Sequence, residues 1–184
     1  LIAGAADVAK KAGMEGKWMF TLQNPSIMPF LQFSEKRELR EQILNAYLNR
    51  GNNNNEADNK EVVKQLVTLR LEKAKLMGYE DYAAFVLEER MAKNSANVYN
   101  LLEQVGQPAL QKAKDEAKDL QQMMKKDGVK GELKASDWRY YNGKVVNEKF
   151  DLDENQIRPY LKLENVRSGM FWVANKLYGI TFTE

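Results

Sequence analysis

Residues 60–94 read KEVVKQLVTLRLEKAKLMGYEDYAAFVLEERMAKN. Almost every position up to Met77 is a strong helix former, and Gly78 is the first residue suited to ending a helix. At roughly 100° per residue, Val62, Val63, Leu66, Val67, Leu69, Leu71, Ala74, Leu76 and Met77 cover more than half the circumference. An arc that wide predicts burial on two sides. Asp58 is the expected N-cap of this helix. A second helix is expected over about 80–92, with Tyr82, Ala83, Phe85, Val86 and Met91 on its core side. Two helices in succession, without strand-like alternation, set the class of the chain as all-α.

The same pattern extends outward. Prolines are few, and glycines fall between runs of Leu, Lys, Glu, Ala, Gln and Met. The spacing predicts an irregular array of seven or eight helices with at most two short strands. Residues 1–12 read as the end of a helix stopped by Gly13 and Gly16, and Pro25 opens a short apolar helical turn to Phe33. Ser34 is the expected cap of a helix to about Arg50, with Leu39, Ile43, Leu44, Tyr47 and Leu48 at helical spacing. Gly51-Asn52-Asn53-Asn54-Asn55 is a loop. Ser95 is the expected cap of residues 96–127, with a break at Gly106 and Pro108. Ser136 is the expected cap of an aromatic-rich helix to about Lys149. Another helix starts near Asp153 and stops before Pro159, and a last one spans about 164–178 with Gly179 as its C-cap. KWMFTL (17–22) and ITFT (180–183) read as short strands. The second, at the end of the chain and without an evident partner, raises the expectation that the natural chain continues. There is no internal repeat.

Composition excludes much chemistry. The 184 residues contain neither cysteine nor histidine. Disulfides, thiolate nucleophiles, serine–histidine catalysis and the usual zinc ligand sets are therefore absent from this chain. With 28 basic against 26 acidic residues, the net charge of +2 does not point to nucleic acid or to an anionic membrane. No stretch approaches the roughly 20 apolar residues of a membrane span. The expected compartment is the cytoplasm, and lack of cysteine is equally compatible with the periplasm.

The remaining constellations are weak. Asp151-Leu152-Asp153-Glu154-Asn155 resembles the start of a calcium loop, but Gln156 and Lys162 stand where glycine and glutamate are needed. Asp153 reads better as a helix cap, with Glu154 at the positive end of that helix. Glu88 and Glu89 diverge around a helix and cannot pair as acid and base. The lysines of 112–127 alternate with Asp115, Glu116, Asp119 and Asp127, as on a solvated face. Arg70 projects from an apolar arc, either as a snorkelling or ion-paired structural arginine or as a cation facing a substrate cleft. Trp138, Tyr140 and Tyr141 flank Arg139, and read either as packing or as a surface on which a ligand stacks.

Three stretches taken in order resemble one family. They are GKWMFTLQNPSIMPFLQFSEKRELREQILNAYLNRG (16–51), LVTLRLEKAKLMGYEDYAAFVLEERMAKN (66–94) and WRYYNGKVVNEKFDLDENQIRPYLKLENVRSGMFWVANKLYGITF (138–182). The chain resembles the zinc metallopeptidases that include peptidyl-dipeptidase (dipeptidyl carboxypeptidase), oligopeptidase A and thimet oligopeptidase, and is most similar to the bacterial peptidyl-dipeptidase branch. The resemblance implies a parent enzyme that hydrolyses short peptides with zinc held by a His-Glu-x-x-His helix and a downstream glutamate. Those residues follow the blocks found here, so no catalytic or metal-binding residue carries over.

The implied picture is one helical segment, residues 1–184, in the wall of a substrate channel N-terminal to the catalytic half. In that picture zinc is bound outside the chain, and the chain alone is inactive. Arg70, Trp138, Tyr140 and Tyr141 line the channel or pack behind it. Surface left uncovered in the segment would favour self-association. The competing expectation is a self-contained helical module that binds proteins or peptides without catalysis.

Overall fold

A computed structural model describes residues 2–151 and 154–183 of the chain. Among them are nine α-helices and two 310 segments, and no strand. The fold is all-α. It divides into two compact units, Leu1–Gly143 and Lys144–Glu184.

In the first unit, α1 (Ile2–Lys11) buries Ala5 and Ala9, and Gly13 and Gly16 follow it at positive φ. Residues 17–22 are not a strand. The Met19 N–H donates to the Ala5 carbonyl, and no neighbouring segment supplies the ladder that a strand requires. Phe20 instead packs its ring against Phe30, with centroids 4.5 Å apart. Helix α2 (Asn24–Phe33) begins with Pro25 in its first turn and buries Ile27, Phe30 and Leu31. It packs on α3 (Arg37–Leu48). Ser34 does not cap α3. Its N–H closes α2 on the Phe30 carbonyl, and α3 starts three residues later. The only fully buried side chain of α3 is Arg40, while Leu39 and Leu48 of its apolar pattern are exposed.

Helix α4 (Lys60–Leu76) departs furthest from expectation. Of its wide apolar arc only Ala74 is buried, and Val62, Val63, Leu66, Val67, Leu69 and Leu71 are exposed. Periodicity reports which face a helix would bury, not whether these 184 residues contain the surface to cover it. The helix does pack on α5 (Tyr82–Leu87), capped by Asp81, whose carboxylate accepts the Ala84 N–H. That helix is shorter than expected, and Met91 lies beyond it, fully exposed.

Helix α6 (Ser95–Lys126) is capped by Asn94 rather than Ser95 and is continuous through Pro108, where a break was expected. Proline removes the N–H that would reach the Gln104 carbonyl. Residues 101–116 are all exposed, so water can satisfy the freed oxygen, and the remaining turns propagate the helix. Only the far end is buried, at Leu120, Met123 and Met124. A 310 turn (Ala135–Asp137) then leads into α7 (Trp138–Phe150), and this turn packs against α3.

In the second unit α8 (Glu154–Ile157) runs into a 310 turn (Arg158–Leu161) that contains Pro159, followed by α9 (Leu163–Tyr178). The expected cap Asp153 lies outside the described residues. Gly179 closes α9 at φ 67°, a left-handed conformation that favours glycine. Residues 180–183 are coil, not a strand. The Asn175 side chain donates to the Ile180 carbonyl, and Phe182 stacks on Phe171 at 4.2 Å.

Candidate functional site

A dense polar cluster in the first unit surrounds Asp137, the last residue of the 310 turn before α7. Its side chain is completely buried, as is Arg40 at 1% exposure. Helical spacing puts Arg37 and Arg40 on one face of α3, one turn apart. Arg37 reaches the carboxylate through Nε at 3.1 Å and Nη2 at 2.7 Å. Arg40 Nη2 donates to Oδ1 at 2.8 Å. The Lys134 N–H adds a fourth donor group at 3.0 Å.

The arginines make further hydrogen bonds. Arg40 donates to the Ser34 carbonyl at 2.6 Å and the Ser136 carbonyl at 3.3 Å, and Arg37 to the Glu132 carbonyl at 2.8 Å. Arg40 also lies 4.2 Å from the Tyr140 ring centroid. Burial pushes the Asp137 carboxyl up. The hydrogen bonds from Arg37, the Lys134 N–H and Arg40, with the charge of Arg37, outweigh it and hold the group below the usual carboxylate range. The bond to Asp137 raises Arg37 correspondingly. An ionised carboxylate with this many donors has no free basic character near neutrality. The node fixes structure and does not move protons.

The four site residues expected from sequence fall in two places. Trp138, Tyr140 and Tyr141 lie on the first turn of α7. Tyr141 is buried, its ring edge-on to Tyr140 with centroids 5.1 Å apart, and Trp138 is half-buried. Arg70 sits on α4, its guanidinium 5.2 Å from the centroid of the Tyr82 ring on α5. Next to it, Lys73 lies 5.3 Å from the Phe85 ring, and the Tyr79 hydroxyl donates to the Glu88 carboxylate. Beside Asp137, a cleft of about 340 Å³ is lined by Leu31, Leu44, Ala135, Ser136, Trp138, Arg139 and Asn142.

The asparagine loop is ordered by a cation of its own. Lys60 Nζ donates to Asn52 at 3.0 Å, Asn54 at 2.8 Å and Asp58 at 2.6 Å. Asp58 also accepts the Lys60 and Asn54 N–H groups. The bonds from Lys60, then the Asn54 N–H, hold the half-buried Asp58 carboxyl at about 2. Sequence reading placed Asp58 as the N-cap of α4, a position that the structure gives to Asn59. It missed the pairing with Lys60, for which the only signal was a lysine two residues downstream.

No group of three or more His, Cys, Asp or Glu side chains among the described residues is placed to hold a metal ion. No helix among them is long and apolar enough to cross a membrane.

The family model for Peptidase family M3 matches residues 30–184. Dipeptidyl carboxypeptidase of Escherichia coli (strain K12) is 35% identical over 184 residues, covering 100% of this chain and 27% of that protein. Oligopeptidase A of the same organism is 31% identical over 187 residues, covering 100% of this chain and 27% of that protein. Saccharolysin of Saccharomyces cerevisiae is 28% identical over 180 residues, covering 95% and 25%. The chain thus spans about a quarter of the length of the curated relatives it matches.

Proposed function

The chain belongs to peptidase family M3, and on that premise we propose that it is the helical, channel-wall segment of a zinc-dependent peptidase acting on short peptides. The observation that carries this reading is the continuous match of residues 30–184 to the family. Oligopeptidase and peptidyl-dipeptidase activities are both represented among the relatives, and the reading takes in either. Zinc does not fit the residues present. The chain offers no imidazole or thiolate, and its described carboxylates do not cluster. The metal of the parent enzyme is bound elsewhere, and so are the groups that activate water.

Within the segment, Arg70 and Trp138 are the residues proposed to face peptide, because both keep accessible surface. Tyr140 packs against Arg40, and Tyr141 is buried. The compartment proposed is the cytoplasm.

The test compares two proteins. The 184-residue chain, supplied with zinc, is expected to hydrolyse no short peptide. A longer product of the same reading frame that includes a His-Glu-x-x-His helix is expected to do so. Chelator-sensitive hydrolysis by the 184-residue chain would overturn the proposal.

A second expectation follows from the uncovered apolar face of α4 and from Tyr99, Leu101, Leu102 and Val105 on α6, all exposed. Exposed apolar surface of this kind favours association. Sedimentation of the isolated chain at micromolar concentration is expected to show species larger than a monomer. A single monomeric boundary across the concentration range would remove this expectation and leave the peptidase reading intact.

A further inference from the structure

We propose that the cleft beside Asp137 binds a carboxylate carried on one apolar side chain, as found at the C-terminus of a peptide ending in leucine or phenylalanine. The juxtaposition behind this is specific. Leu31, Leu44, Ala135 and Trp138 give the cleft apolar walls, and Ser136, Arg139 and Asn142 are its polar lining. None of the three polar side chains is satisfied among the described residues. Ser136 is 3% exposed and its hydroxyl has no hydrogen-bond partner. The side chains of Arg139 and Asn142 make no hydrogen bond or ion pair among the described residues. A buried hydroxyl without a partner carries a desolvation cost that a bound acceptor would relieve.

The electrostatics select the charge of the ligand. The cleft lies at the N-terminal end of α7, a 13-residue helix whose dipole favours an anion there. Asp137 beside it does not cancel this field, because two arginines face that single carboxylate. Arg139 then adds a free guanidinium with the planar fork that suits a carboxylate. Donors from Arg139 and Asn142 are available to the carboxylate oxygens, and the Ser136 hydroxyl can donate to either. The size of the cleft, about 340 Å³, is at the small end of ligand sites and suits one amino-acid unit. A purely inorganic anion would leave the Trp138, Leu31 and Leu44 walls unused. This inference stands on the cleft, and holds or fails independently of the peptidase reading.

The probe is N-acetyl-L-leucine, with N-acetyl-L-leucinamide as the uncharged control, titrated into the 15N-labelled chain. The acid is expected to shift the backbone amides of residues 135–142 saturably, in roughly the millimolar range that so small a ligand allows. The amide is expected to bind about tenfold more weakly or not at all. Arg139→Gln is expected to abolish the discrimination between the two while leaving the unfolding midpoint unchanged, since Arg139 is exposed and makes no ion pair among the described residues. Ser136→Ala, which removes only the orphan hydroxyl, is expected to weaken the acid and keep the fold. Absence of saturable shifts in this segment would overturn the proposal. Equal binding of acid and amide, or undiminished discrimination in Arg139→Gln, would do the same.

Discussion

Asp137→Ala is expected to lower the stability of the first unit by about 3–5 kcal/mol, the range for breaking a buried ion pair on one side. The loss exceeds that of one pair because Arg40 stays behind at 1% exposure, its charge uncompensated. Asp137→Asn keeps the volume and some hydrogen bonding but not the charge, and is expected to fall between the two. The same node sets a pH dependence. The native carboxyl lies below its ordinary value of 3.8, so the unfolded state binds the proton more readily. The stabilisation is complete above that ordinary value. It is lost as pH falls below 3.8 and through the lower native value. Urea unfolding followed by far-ultraviolet circular dichroism, in the wild type and both variants, checks this. A midpoint shift in Asp137→Ala worth less than about 1 kcal/mol, the scale of an exposed pair, would show that the node is not the fastening of α3 to the 310 turn.

That node was the part of the molecule least open to reading in advance. Arg37 and Arg40 are visible in the sequence as a helical pair, but their carboxylate lies 97 to 100 residues away. Nothing local distinguishes Asp137 from the other acids. Local signals served well where the physics is local. Gly179 was readable as the left-handed end of α9, and Pro25 as the opening of α2. They failed by a residue or two where several cap formers adjoin, as with Asn94 beside Ser95. The burial of α4 failed for another reason. Its apolar arc is a property of nine side chains, whereas burial is a property of whatever packs on them, and among the described residues it is chiefly α5 that does so. The candidate site was legible in the same uneven way. The aromatic run 138–141 marked the right turn of α7. It gave no hint that Ser136, two residues earlier, would be buried without a partner, since that depends on α2 and α3 closing over it.

Tyr141→Ala is expected to cost about 3–5 kcal/mol, as for other large aromatic truncations in a core. Tyr141 is 2% exposed, and its ring supports Tyr140 edge-on, which in turn supports the face of Arg40. Truncation would therefore open a cavity and loosen the guanidinium that holds Asp137, so its effect should not be additive with Asp137→Ala. Trp138→Ala is expected to cost clearly less, because the indole is only half-buried and borders the cleft rather than the core. The pair of variants separates packing from contact with a ligand. A residue that packs moves the thermal midpoint when truncated, whereas a residue that touches peptide changes binding with little change in the midpoint. Tyr141→Phe sharpens the distinction, since it keeps the ring and removes only the hydroxyl. A Tyr141→Ala midpoint equal to wild type would contradict the packing role, and altered peptide kinetics in a Tyr141→Phe parent enzyme of unchanged stability would place the hydroxyl in the channel.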